Sequence, residues 1–343
     1  MRVSIKDIAK AAGVSHSTVS RALSDSPLVS TETRERVQLL AREMGYSPDA
    51  QARSLVEGRT RTIGVVVTTM TDPFIGGIVQ AIESTAHDHG YSVILASSND
   101  SSEREIAAAE TLQSKRVDGV IVSSSRVGVL HQGRLERLGV PVVLINSLVR
   151  HRGRYTFSIG VDNRHGGFLA TEHLVQRGHR RIAYVASPDD RSDSMERLAG
   201  YREALTGAGI DPDPSLLVQG TGRPGGGQRA LPVLQALPDP PTAVFCYNDM
   251  TAIGLIHAAH AAGLSLPRDL AVVGFDDVVF ARYVHPTLTT VAQPVGELGK
   301  GAMEMVLSLL LDGSSDPGAG IDRTLPGRLV VRASSGAKRF PVN

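Results

Sequence analysis

Apolar residues over 1–45 recur at helical spacing in three bursts. Ile5, Ile8, Ala9 and Ala12 stand at i, i+3, i+4 and i+7, so a helix gathers them into one buried stripe. Ser4 precedes the stripe and Asp7 follows three residues later, a near relative of the pairing that caps helix N-termini. Gly13 breaks the pattern, and Ser15 is placed to cap a second helix. There Val19, Ala22 and Leu23 share one side, whereas Ser17, Ser20, Arg21 and Ser24 share the opposite one. A third stripe, Val37, Leu40, Ala41 and Met44, begins behind Ser30 and stops at Gly45, well placed as the residue after a helix end.

From residue 62 onward the pattern changes. Apolar runs at 62–67, 92–96, 119–123 and 142–145 alternate with helical periodicity such as Ile75, Ile78, Val79, Ile82 and Ala86. A second set of runs follows at 182–186, 216–218, 243–247 and 270–274, separated by helical stretches such as 168–175 and 197–205. Near-continuous apolar strands between amphipathic helices predict parallel sheets covered on both faces. The expected class is α/β: an N-terminal three-helix domain, a polar joint SPDAQARSLVEGRTRT, and a core of two doubly wound, Rossmann-like subdomains with a cleft between them.

Composition narrows the partners. The 343 residues exceed one ordinary core, and 41% hydrophobic with 21% charged residues excludes a disordered chain, a collagen-like repeat or a coiled coil. Lys plus Arg is 36 and Asp plus Glu is 35, so any nucleic-acid surface is a local patch. Such a patch exists in residues 1–24, where Arg2, Lys6, Lys10 and Arg21 face Asp7 alone. The lone Cys246 excludes a disulfide framework and a cysteine zinc site; no metal and no cofactor is expected. MRVSIKDIAK has no apolar signal core, and no run approaches the roughly 18 apolar residues of a membrane span, so a cytoplasmic protein without membrane partners is expected.

Two short helices joined through a glycine turn, the second exposing a polar face, form a helix-turn-helix. That second helix is the one that enters the DNA major groove. His16, Ser17 and Arg21 are the candidates for base edges; Ser4, Ser15, Thr18, Ser20 and Ser30 are short donors at helix starts, suited to phosphates. The alternative for the same residues is a small helical bundle with a solvated face. In the joint, Pro48 and Asp49 precede barely two turns of helix, Ala50–Leu55, too short to be stable alone. Its one large apolar residue, Leu55, suggests folding on a partner: paired in a dimer, such helices would lie in the minor groove, with Ala52 against the DNA and Leu55 wedging a base step. The plain reading is a flexible linker.

In doubly wound sheets ligands bind beyond the carboxyl ends of strands. Those positions hold Asp72 and Phe74, then Ser123, Asn146, Asp193, Arg197, Asn248 and Asp276. Carboxylates, amides and one guanidinium converging on a cleft suit a polyhydroxylated ligand. Each is also an ordinary helix cap; for Asp249 the cap is the better reading, whereas Asn248 and Asp276 are the better ligand candidates.

The segments SIKDIAKAAGVSHSTVSRAL, PDAQARSL, VDNRHGG, RLAGYREAL, NDMTAIG and VVGFDD, in that order, resemble the lactose-repressor (LacI/GalR) family of bacterial transcription regulators, essentially end to end. The resemblance implies a periplasmic-binding-protein-like core and a homodimer reading a pseudo-palindromic double-stranded operator. It implies domains at 1–46 (helix-turn-helix), 47–60 (hinge), 61–160 with 291–320, and 161–290 with 321–343, the chain crossing near 160–161, 290–291 and 320–322. It places Leu55 on the intercalating hinge leucine, His16, Ser17 and Arg21 on base-reading positions, and Asn146, Asp193, Arg197, Asn248 and Asp276 on effector contacts. The implied effector is a sugar or sugar derivative that releases the repressor; a purine-like corepressor is the alternative.

Tyr247 stands where the family has a small residue, and without Trp any sugar stacking falls to Phe74, Tyr247, Phe275 or Tyr283. An NAD-dependent oxidoreductase is the remaining alternative, because Gly220, Gly222 and Gly225 spell G-x-G-x-x-G. Pro224 inside the motif, its place in the second half and the lack of a suitably spaced acidic residue favour a glycine-rich surface loop. His87 and His89 read as a helix end, and Cys246 as a buried, inert thiol.

Overall fold

A computed structural model describes residues 3–46, 58–123, 132–147, 156–187, 192–311 and 322–336. The chain divides into two compact units, Met1–Thr60 and Arg61–Asn343.

In the first unit α1 (Ile5–Ala12), α2 (His16–Leu23) and α3 (Thr31–Glu43) follow the three stripes. The backbone N–H and hydroxyl of Ser4 both donate to Asp7, at 2.9 and 2.7 Å. Ser15 Oγ accepts from the Thr18 N–H at 3.1 Å and Ser30 Oγ from the Thr33 N–H at 3.3 Å, each satisfying a donor that the first helical turn leaves over. Gly13 (φ +66°) and Gly45 (φ +65°) take the left-handed conformation that ends α1 and α3. Ile8, Val19, Ala22, Val37 and Ala41 form the core, with Leu23, Leu40 and Met44 at its margin.

Among the described residues the second unit holds two six-stranded sheets. The first comprises β1 (Thr62–Val67), β2 (Ser92–Ser97), β3 (Gly119–Ser123), β4 (Val142–Ile145), β5 (Thr156–Val161) and β11 (Asp322–Leu325), in the order β11-β5-β4-β3-β1-β2. All its pairings are parallel. The second comprises β6 (Ile182–Ala186), β7 (Leu217–Gln219), β8 (Ala243–Cys246), β9 (Ala271–Asp276), β10 (Thr289–Ala292) and β12 (Arg328–Val330), in the order β12-β10-β9-β8-β6-β7. Only β12 runs antiparallel, against β10.

The helices are α4 (Pro73–Asp88), α5 (Ser102–Ser114), α6 (Gln132–Glu136), α7 (Asn163–Gln176), α8 (Ser192–Gly207), α9 (Pro224–Gln235), α10 (Asp249–Ala261) and α11 (Val295–Leu311). Central strands such as β3, β4 and β9 are buried along their whole length, as helices on both faces require. The last crossing of the chain falls between Leu325 and Arg328, later than 320–322. Thr324 pairs with Gly160 beside β5, so residues 322–325 belong to the first sheet and not to the second subdomain. The Ser158 hydroxyl reinforces that edge, donating to Asp322 at 2.6 Å. β10 likewise stays in the second sheet as far as Ala292.

Two helix pairs meet backbone to backbone. A Cβ on Gly200 would strike the Arg164 carbonyl, and one on Gly167 would strike that of Arg197. The same holds for α9 and α10, where Gly227 faces the Thr251 carbonyl and Gly254 that of Pro224. These contacts fix the angle at which α8 delivers its first turn to the carboxyl ends of the second sheet.

Candidate functional site

Every strand-end segment that lines the main cleft lies beyond a carboxyl end, and both sheets contribute. The first supplies Thr68, Thr69, Asp72, Phe74, Asp100 and Asn146; the second supplies Ser187, Asp193, Arg197, Thr221–Arg223, Tyr247, Asn248 and Asp276, with Gln293 after β10.

Arg197 is the buried cation of this site, with a 2% exposed side chain. Its Nη1 donates to the Tyr247 carbonyl at 2.6 Å and its Nε to the Asn163 side-chain oxygen at 2.9 Å. The guanidinium carbon stands 3.7 Å from the Phe275 ring centroid and 4.6 Å from that of Tyr247. Asp193 and Asp276 each lie 3.9 Å from its terminal nitrogens. The hydroxyl of Tyr247 donates to Asp193 Oδ2 at 2.5 Å, which draws its ring into the cleft wall. A charge between Met195 and Leu198 is thus tolerated because it is bonded and laid against rings.

Asp276 ends β9 with φ +119°, and the next residue, Asp277, has φ +55°. Its Oδ1 accepts from Gln293 at 2.7 Å. Gln293 in turn accepts from Asn146 Nδ2 at 2.8 Å, and Asn146 Oδ1 accepts from the Val161 N–H at 3.0 Å. Burial pushes the Asp276 carboxyl up to about 7; Arg197 opposes this, and the carboxylates of Asp72 and Asp193 add to it. No described donor serves Asp276 Oδ2.

The helix cap is Asn248 and not Asp249: Asn248 Oδ1 accepts from the Thr251 N–H at 2.9 Å, while its Nδ2 donates to the Gly222 carbonyl at 2.9 Å. Asp249 is fully buried behind it, accepting from Thr290 and from the Val278 N–H, and burial followed by nearby Asp276 holds its pKa well above the carboxylate range. Asp72 caps α4 through the Phe74 N–H at 3.0 Å, with Phe74 beside it in the wall. The Ser123 hydroxyl is buried with no hydrogen-bond partner among the described residues, and Ser123 is not among the described residues that line the cleft.

Phe275 lies fully buried beneath Arg197 and Tyr283 is 79% exposed outside the cleft, which leaves Phe74 and Tyr247 as its aromatic walls. The glycine-rich stretch is not a plain surface loop, since Thr221, Gly222 and Arg223 enter the wall. Sequence reasoning missed these, and it missed Thr68, Thr69, Asp100, Ser187 and Gln293. Gln293 directly follows an apolar strand, so the strand-end rule finds it once β10 is recognised.

In the first unit Ser15, His16, Ser17, Ser20 and Arg21 are exposed on one side of α2, with Thr18 half-buried, opposite the packed Val19 and Ala22. Ser4 and Ser30 lie exposed at the starts of α1 and α3. Ala52 and Leu55 fall outside the described residues. His89 Nδ1 sits 2.8 Å from the Thr85 carbonyl at the end of α4, and Cys246 is buried, its pKa raised by desolvation. Among the described residues no cluster suits a metal ion, and no helix is long and apolar enough to cross a membrane.

Residues 4–49 match the model for bacterial regulatory proteins of the lacI family, and residues 171–335 match a periplasmic binding protein-like domain. The chain is 40% identical over 304 residues to the HTH-type transcriptional repressor PurR of Erwinia tasmaniensis, covering 88% of this chain and 89% of the relative. It is 35% identical over 333 residues to the repressor CytR of Escherichia coli, covering 97% and 96%. Among solved structures, a lac repressor dimer bound to operator and the anti-inducer ONPF aligns at TM-score 0.88 and 29% identity, over 98% of this chain and all of that one. A complex of the transcriptional regulator CelR with cellobiose aligns at TM-score 0.73 and 32% identity, over 97% of this chain and 100% of that one.

Proposed function

We propose that this chain, which belongs to the lacI family of bacterial regulatory proteins, is a cytoplasmic repressor that leaves its operator when a small sugar-like metabolite enters the cleft at Asp276. It is a DNA-binding transcriptional regulator. It binds a pseudo-palindromic operator as a homodimer, as the lac repressor in the aligned structure is a dimer on its operator. Arg21, His16 and Ser17 read base edges from the exposed side of α2, the serines at helix starts hold phosphates, and Ala52 and Leu55 engage the minor groove at the operator centre.

The observation that carries the effector half is the state of Asp276. This carboxyl is 5% exposed, opens on the cleft, and leaves Oδ2 without a described donor. A ligand hydroxyl donating there meets a carboxylate oxygen that faces the cleft and is not engaged by a described side chain, and a hydrogen bond to a charged acceptor is among the stronger ones. Phe74 and Tyr247 offer apolar faces to a ring, and Asn248 adds an amide. An effector must bind two arrangements of the core unequally to regulate; a coupling of about 1–3 kcal/mol gives roughly 5–150-fold control.

The test uses the full chain. Its operator is selected from a randomised pseudo-palindromic duplex library. Thermal shifts and operator binding are then measured with ribose, galactose, cellobiose, cytidine, adenosine and hypoxanthine. A sugar that raises the melting temperature, weakens operator binding and loses both effects in Asp276→Ala is the expected result. A nucleobase that strengthens operator binding replaces induction by corepression, and sugar responses that survive Asp276→Ala move the site elsewhere.

A further inference from the structure

We infer that Gln293 is a positioning residue that carries the state of the Asp276 carboxyl to the joint between the two sheets, through Asn146 and the Val161 N–H. The inference rests on the reading of the cleft as the effector site, and it assigns the route by which occupancy is felt.

Asp276 ends a strand of the second sheet, whereas Asn146 follows β4 of the first and Val161 ends β5, where the chain leaves the first sheet. Gln293 lies in another crossing, between β10 and α11. Three hydrogen bonds of 2.7, 2.8 and 3.0 Å join these residues in one line, and every member is under 10% exposed.

The direction of each bond is fixed by its neighbour. The Val161 N–H can only donate, so Asn146 presents Oδ1 to it and Nδ2 to Gln293; Gln293 then has its own amide protons left for Asp276. A flip of either amide sets donor against donor. Asn146 holds this pose with φ +52°, a left-handed backbone that asparagine tolerates. Both amides are thereby committed inside the protein, so Asn146 serves the line before it serves a ligand.

A hydrogen bond to an ionised acceptor is shorter and stronger than one to a neutral carboxyl. Whatever changes the charge at Asp276, a proton on the carboxyl or a ligand donor at Oδ2, therefore changes the pull on Gln293, and buried amides in series pass that polarisation on. Among the described residues, the charged groups around Asp276 are Arg197 and Asp193 of α8, Asp72 at the start of α4, and Asp249 and Asp277 beside it.

The proton is the probe that tests the line, because burial places the Asp276 titration near 7. The full chain is labelled with [15N]valine and the Val161 amide shift is followed from acid to mildly alkaline pH. The expected result is a sigmoid at Val161 that vanishes in Asp276→Asn, and vanishes again in Gln293→Met and in Asn146→Gly while the other valine signals stay native. Asn146→Gly suits the left-handed backbone and keeps the test available if Gln293→Met misfolds. A flat wild-type response, or a sigmoid that persists in either relay variant, overturns the inference. A sigmoid that survives Asp276→Asn belongs to another group and overturns it too. An operator that ignores every sugar tested would instead remove the proposed function and leave this titration unmoved.

Discussion

Arg197 holds its guanidinium carbon 3.7 Å from the ring centroid of Phe275, so the buried cation of the cleft rests on a side chain that is itself fully buried. The arrangement pins the cation laterally and leaves its nitrogens to Tyr247, Asn163 and the two carboxylates.

Removing that cation strands two buried acids. Arg197→Met is expected to lower stability by about 3–5 kcal/mol at pH 7.5, the cost of leaving a buried charge uncompensated. Part of the loss returns in mildly acidic buffer, where Asp276 takes up a proton. Urea unfolding at the two pH values checks both halves; equal losses would show that Arg197 acts by packing alone.

Asp276 itself sets a pH dependence whose sign follows from its raised pKa. The folded protein binds this proton more tightly than the unfolded chain, so the contribution is fully present below 3.8 and disappears as pH rises through about 7. His173, lowered by burial to about 4, acts in the opposite sense over an overlapping window, so the comparison is between wild type and Asp276→Asn. The melting temperature of the variant is expected to fall less between those pH values than that of the wild type.

Gly200→Ala drives a methyl group into the Arg164 carbonyl and forces α8 away from α7. Overpacking of this kind costs about 1–3 kcal/mol, and a clash with backbone sits at the upper end. Because α8 carries Asp193 and Arg197, thermal shifts by any cleft ligand should shrink together with the melting temperature. Gly207→Ala on the same helix, where a Cβ meets nothing, is the matched control.

Arg21→Ala is expected to relax base preference at one operator position per half-site by about 1–3 kcal/mol. Competition between operators that differ at that position measures it. Unchanged preference assigns Arg21 to phosphate contact.

Leu55→Ala should weaken operator binding far more than binding to random duplex, since a wedge acts only where the DNA is deformed. Parallel titrations with both duplexes decide it, and equal losses identify the joint as a linker.

Periodicity revealed α1 to α3 and most of the βα units, because burial is the main constraint there and it repeats along the chain. The strand-end rule found Asp72, Phe74, Asn146, Asp193, Arg197, Asn248 and Asp276 in the cleft wall, and the departure from the family pattern pointed to Tyr247. It also put forward Ser123, which turned inward, because the rule gives position along a strand and not the direction of the final side chain. Asn248, expected as a ligand contact, also caps the helix, and Asp249, expected as the cap, lies buried behind it: two adjacent polar residues at a helix start look alike until the N–H they meet is known. Residues 322–325 were assigned to the wrong sheet because their polar, exposed sequence carries no burial signal, and only pairing with β5 places them. Thr221 to Arg223 were hidden by a motif that pointed to a different chemistry.

The glycine contacts between α7 and α8, and between α9 and α10, have a mechanical consequence. With backbone lying directly on backbone, no yielding side chain cushions the crossing, and each helix pair behaves as a single stiff beam. Compliance then concentrates in the few residues on which the polypeptide passes from one sheet to the other, and two of these, Val161 and Gln293, are tied to the acid at the centre of the cleft.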